Sequence, residues 1–278
     1  MCISNDPADF SGTKIMVHAP SPDLFSGKPV HVMAYQNTAK NLLPGDSANA
    51  MLLHIPSKTG MGPHNFIAMT DFPSVLDDMV EALLPKRKTF TRTLEPDLSA
   101  RSVQIISVGI YTIVLANNAS DIPAALHMVP NDKRPRLNLD LIDFYSKNMK
   151  GYVVALCCFN KSAKSEPLLF WYEPKNPNFF HMPALDEHTG KAPDLNAYVD
   201  VDHWLIASHY LMTGGVPVNY SDNIPSSTRM YLPERVIGRH VMGLYPNGDF
   251  GMDVERVKTY DGSSKDGLVL RLKPPSLS

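Results

Sequence analysis

Apolar and polar residues alternate along "TKIMVHA" (13–19) and "PVHVMAYQN" (29–37). A period of two puts successive side chains on opposite faces of a strand. The turn-rich "SPDLFSGK" joins these two runs as a hairpin, and "NAMLLHIP" (49–56) forms a third strand. The period then changes. In "TDFPSVLDDMVEALLPKRK" (70–88), Val75, Leu76, Met79, Val80, Leu83 and Leu84 recur at helical spacing. They make one apolar stripe, with Asp71 as cap, Pro73 in the first turn and Pro85 as the stop. "RSVQIISVGIYTIVLANN" (101–118) reads as one or two buried strands around Gly109, and "SDIPAALHM" (120–128) as a short helix capped by Ser120 or Asp121.

"NLDLIDFYSKNMKG" (138–151) is the second full helix. Leu139, Ile142, Tyr145 and Met149 share a face, Asn138 caps, and Gly151 provides the left-handed stop. Strands "YVVALCCF" (152–159) and "PLLFWYE" (167–173) follow. Beyond residue 178 helical periodicity fades. "AYVDV", "RVIGRHVMGLY", "FGMDVERVKTY" and "LVLRLKP" read as strands, "YPNGDF" carries an Asn-Gly hairpin signal, and "PPSLS" is a frayed tail. The prediction is an α+β fold of mainly antiparallel sheet, with two or three covering helices and a strand-rich C-terminal third. Residues 1–178 form an α+β domain, and 179–278 pack on it.

A strand followed by Asn and then Ala occurs three times, in "VMAYQNTAKN", "TIVLANNAS" and "VALCCFNKSAKS". Internal duplication would explain this. So would the general suitability of Asn and small residues for turns, and the irregular spacing favours that second explanation.

Several pieces together resemble a bacterial protein family known as a domain of unknown function: Cys2, "VHVMAYQN", "NAMLLHIP", "FPSVLDDMV" and "GYVVALCCFN". The similarity covers residues 2–175 in patches. It implies an α+β fold and a Cys near the mature N-terminus, and it assigns no catalytic residue. Members of that family usually carry an export signal, which this sequence lacks.

Composition narrows the functional classes. Of 278 residues, 44% are hydrophobic and 19% charged, which is globular rather than disordered. The 24 prolines disfavour long helices. A net charge of −2 supplies no field for nucleic acid or anionic membrane. The basic runs Lys86-Arg87-Lys88 and Lys133-Arg134 with Arg136 are small, flank prolines and read as solvated loops. No apolar run approaches the roughly 20 residues of a membrane span, and no secretory signal opens the chain. Three cysteines make no disulfide framework, so a cytoplasmic location with reduced thiols is expected.

Three readings of function remain. The favoured one is a non-catalytic binding or assembly protein, a homo-oligomer or a partner of another protein. Its chain is strand-rich, aromatic and Met-rich with low net charge, which suits edge pairing and face burial. The alternative is an N-terminal-nucleophile-type hydrolase using Cys2, whose α-amine would serve as base once Met1 is removed. His31, His54 and His64 are further base candidates, and Asn37, Asn49 and Asn65 are candidate oxyanion donors. The third is a divalent-metal protein with no other cofactor, drawing ligands from Asp186, His188, Asp200, Asp202 and His203. That mixed O/N set suits zinc, manganese or iron, although no compact motif such as H-E-x-x-H is present. Cys157 and Cys158 alternate to opposite faces of one strand, as buried structural thiols. The aromatic run 170–180 reads as packing. No phosphate loop, dinucleotide fingerprint or G-x-S-x-G elbow occurs.

Overall fold

The alternating N-terminal runs form strands β1 (Ile3–Ser4), β2 (Ala8–Ala19), β3 (His31–Asn41) and β4 (Asn49–Ile55). The computed structural model describes residues 3–84, 105–262 and 267–272. Cys2, Pro85, the basic run at 86–88, residues 101–104 and the tail at 274–278 lie outside the described residues. As the pattern predicts, β2 and β3 pair antiparallel across the connector.

After β5 (Phe66–Ile67) comes helix α1 (Val75–Leu83). It buries Val75, Leu76 and Met79, each contributing about 1.5–3 kcal/mol of transfer free energy. Its N-cap is Ser74 rather than Asp71, and Pro73 lies just outside, because the helix begins one turn later than the polar residues suggest. Strands β6 (Ile105–Val108) and β7 (Tyr111–Ala116) turn at Gly109. Its φ of +52° falls in the left-handed region that favours glycine.

Helix α2 (Ile122–Ala125) is a single turn flanked by 3-10 turns, and α3 (Leu139–Asn148) follows. Asn138 caps α3 as predicted, its side chain accepting from the N–H groups of Asp140 and Leu141, and Gly151 takes φ +74°. Leu139 is exposed, however, and Leu141 takes its place on the buried face.

The remaining strands are β8 (Val153–Phe159), β9 (Ala163–Lys164), β10 (Leu168–Tyr172), β11 (Phe179–Met182), β12 (Tyr198–His209) and β13 (Val216–Pro217). Then come α4 (Ser226–Arg229), β14 (Arg235–Pro246), β15 (Asp249–Asp253), α5 (Val254–Lys258) and β16 (Leu270–Leu272). Two expectations need correction here. "VERVK" is helical, because the Asp253 side chain accepts from the Arg256 N–H and caps a turn. Asn247-Gly248 reverses the chain without making a hairpin. β14 pairs with β12 and β13, whereas β15 pairs with β11 and β16.

Among the described residues the strands form three sheets. One runs β1-β4-β8-β7-β6, another β13-β14-β12-β2-β3-β10-β5 with β9 beside β3, and the third β11-β15-β16. Pairing is antiparallel except between β2 and β12. That parallel contact places residues from beyond 178 inside the large sheet. The protein is α+β and dominated by antiparallel strands.

The large sheet and the five-stranded sheet face each other across an apolar core containing Ile15, Tyr35, Met51, Cys157 and Phe170. Helix α3 covers the outer face of the five-stranded sheet, over Leu52, Val114, Leu156 and Cys158. Helix α1 covers the outer face of the large sheet, over Met16, Val32 and Ile206. Sheets covered on both sides need apolar residues at consecutive positions, which explains the unbroken buried runs of β4, β7 and β8. Among the described residues no helix is long and apolar enough to cross a membrane.

Candidate functional site

The acidic and histidine-rich segment after β11 does not converge on one point. Asp186 Oδ1 and His188 Nε2 lie 2.9 Å apart, without hydrogen-bond alignment. Their main chains are tied down. Asp186 N–H donates to Asn247 Oδ1, and His188 C=O accepts from Ala8 N–H. Asp200 and Asp202 are exposed on one face of β12, while His203 is buried on the other beside Phe250, as strand alternation requires. Asp202 pairs with His240 at 2.6 Å, and that imidazole stacks on Trp204 at 4.9 Å. The structure thus joins Asp186 to His188 and Asp202 to a histidine outside the predicted set. Asp200 and His203 stand apart from both pairs.

The other candidates have structural partners. Asn37 accepts from Tyr111 O–H, Asn49 accepts from Asp6 N–H, and Asn65 links Gly62 to the Trp171 carbonyl. His31 is buried, lies 3.3 Å from the Pro177 carbonyl, and has its pKa lowered by burial to about 4. His64 packs against Trp171. Cys2 lies outside the described residues.

His54 is different. Its Nε2 and that of His181 each lie 2.8 Å from the same oxygen of Asp249, Oδ2. The other oxygen, Oδ1, accepts from the N–H groups of Ala184 and Leu185 at 2.8 and 3.0 Å. All three side chains are buried, on β4, β11 and β15 respectively, so they clasp the five-stranded sheet to the three-stranded one. Burial acts to raise the Asp249 pKa, but the two imidazoles outweigh it and hold the carboxyl well below its ordinary value.

Two imidazoles and a carboxylate are also a donor set for a divalent cation, with ligand atoms within 4.8 Å of one another. A metal-bound histidine gives its second N–H to an acceptor. Here both Nδ1 atoms are buried with no partner. With each Nε2 donating to Asp249, Nδ1 is left with a lone pair in place of an orphaned N–H, the cheaper arrangement. The geometry therefore fits a hydrogen-bonded clasp better than a cation site. The signal in the sequence was an imidazole inside the apolar run "NAMLLHIP", which has to find a polar partner.

The most open feature lies at the far end of β12 and β14. β13 covers only Arg235 and Val236 of β14. Among the described residues no strand pairs with the outer side of the rest of β14, to Pro246. On one face of this edge sit Met242 (63% exposed) and Leu244 (71%), with Tyr198 (69%) at the end of β12. Between Met242 and Leu244 comes Gly243, with φ +107° and open space where a Cβ would stand. A neighbouring backbone could approach there without obstruction.

No protein-family model matches the chain, and no curated protein matches it. Among solved structures, the crystal structure of baculovirus P35 is similar with a TM-score of 0.43 and 12% identity, covering 92% of each chain. A likeness this slight carries no argument about function.

Proposed function

We propose that this is a non-catalytic assembly protein that pairs with a second copy of itself along residues 239–246 of β14. One observation carries the reading: along 239–246 no strand among the described residues pairs with the outer side of β14, and the side chains there include the exposed Met242 and Leu244. Folded proteins usually blunt such an edge with lysine, internal proline or a short strand. Residues 237–246 contain no lysine, and the one proline is the last residue. An edge of this kind is a template for strand addition.

The sequence of the edge suits a two-fold, isologous contact. Antiparallel pairing centred on Met242 sets His240 opposite Leu244 of the second copy and Arg239 opposite Tyr245. No like charges then meet, and the contact over 239–245 runs for about 24 Å at the usual strand rise. The net charge of −2 offers little repulsion between copies. Cys157 and Cys158, buried and unbridged, suit a reducing compartment, and a cytoplasmic location is part of the proposal.

Light scattering on Met242→Lys and Leu244→Lys tests the reading. Both side chains are exposed, so neither change should disturb folding. The wild type should have the mass of a dimer and the variants that of a monomer. A monomeric wild type, or a dimer indifferent to both changes, would overturn it. A heterologous partner captured through the same strand would replace self-association with strand addition to another protein.

A further inference from the structure

At the opposite end of β14, independent of the association edge, the chain ends of β2, β12 and β14 and helix α4 enclose a cleft of about 560 Å³. That size is within the usual range for small-molecule sites. One part of the wall is apolar, with Leu24, Met212, Ile224 and Leu232. The polar part holds His18, His209, Arg229 and Arg235, with Glu234 as the single carboxylate.

Two polar atoms in this wall are buried and have no partner: Nδ1 of His18 and Nε of Arg235. His18 is 5% exposed. Burial lowers its pKa to about 3 although a hydrogen bond to the Ser208 main chain acts the other way. A ring that is neutral and donates to a carbonyl leaves Nδ1 as an acceptor. His209 is engaged as well, its Nδ1 accepting from Leu211 N–H, and burial lowers its pKa. The cleft's positive charge therefore comes from the arginines. The Arg229 guanidinium lies over the Tyr220 ring at 4.4 Å, held at one face. Buried polar groups without partners are uncommon in folded proteins and call for a ligand or water to complete them.

We infer that this cleft binds a small amphipathic organic acid, its carboxylate on Arg235 and Arg229 and its apolar body against Met212, Ile224 and Leu232. A hydroxyl near the acid group would donate to His18 Nδ1.

Calorimetric titration of the full chain with sodium octanoate, 3-hydroxyoctanoate, acetate and octan-1-ol tests the inference. Octanoate should bind saturably and 3-hydroxyoctanoate more tightly, while acetate and octan-1-ol bind more weakly. Arg235→Gln should weaken octanoate about tenfold or more, the usual consequence of losing a charge-assisted hydrogen bond. Arg229→Gln, on a surface helix where folding is not at risk, should weaken it in the same direction. His18→Leu should abolish the preference for the hydroxy acid. Absence of octanoate binding at about 1 mM, octan-1-ol binding as well as octanoate, or both arginine variants binding like the wild type would overturn the proposal.

Discussion

Replacing Asp249 with Asn tests the buried clasp most severely. In the native protein both Nε2 atoms lie 2.8 Å from Oδ2 and neither Nδ1 has a partner, so the arrangement that leaves no orphaned N–H has both Nε2 atoms donating and a lone pair on each Nδ1. The asparagine can still accept from Ala184 and Leu185, but its amide presents two hydrogens to the imidazoles. Both rings must then move their proton to Nδ1, where each N–H is buried with nothing to accept it. An orphaned buried donor costs about 1–3 kcal/mol, so the pair costs about 2–6 kcal/mol. A domain of this size has about 5–15 kcal/mol in total. Urea denaturation should show a loss in that range, and a loss below about 1 kcal/mol would refute the hydrogen-bonding argument. The acid limb gives a second reading. The folded Asp249 carboxyl titrates below its ordinary value of 3.8. Its contribution is complete above that value and is lost as pH falls through the folded pKa. The wild type should therefore lose stability in strong acid more steeply than the Asn variant, and equal slopes would refute the shift.

Asn138→Ala should lower the melting temperature by about 2–4 °C, because the cap on α3 is worth about 1 kcal/mol; no change in a thermal melt would deny it that role. In the native protein an Ellman titration should find at most the Cys2 thiol, since Cys157 and Cys158 are buried and burial raises the Cys158 pKa to about 12; all three should react in guanidinium. Dialysis against a chelator should leave the melting temperature unchanged, and a fall of several degrees would restore the cation reading of His54, His181 and Asp249.

Local structure was largely legible in the chain. The period-two runs gave β2, β3 and the first part of β12, where the same alternation sets Asp200 and Asp202 opposite His203 because it depends on the backbone alone. Asn138 and Gly151 were readable because caps are local chemistry. What depends on distant pairing was not. His54, His181 and Asp249 are scattered along the chain, and only the stacking of three sheets brings them together. The alternation of "RVIGRHVMGLY" identified a strand but could not make it an edge, because that follows from β12 lying between β14 and β2. "VERVK" was misread because one capping aspartate outweighs β-branched residues over so short a stretch.

The central claim is that the outer edge of β14 is covered by a second copy. In an antiparallel strand every second N–H points away from its single neighbour, so those amides in 239–246 exchange freely unless a second copy pairs with them. Hydrogen exchange of the wild type, followed as protein concentration rises about a hundredfold from the micromolar range, measures this directly. The account predicts protection that increases with concentration in this segment and nowhere comparable, and that Met242→Lys removes. Exchange that is fast in this segment and the same at every concentration would contradict it.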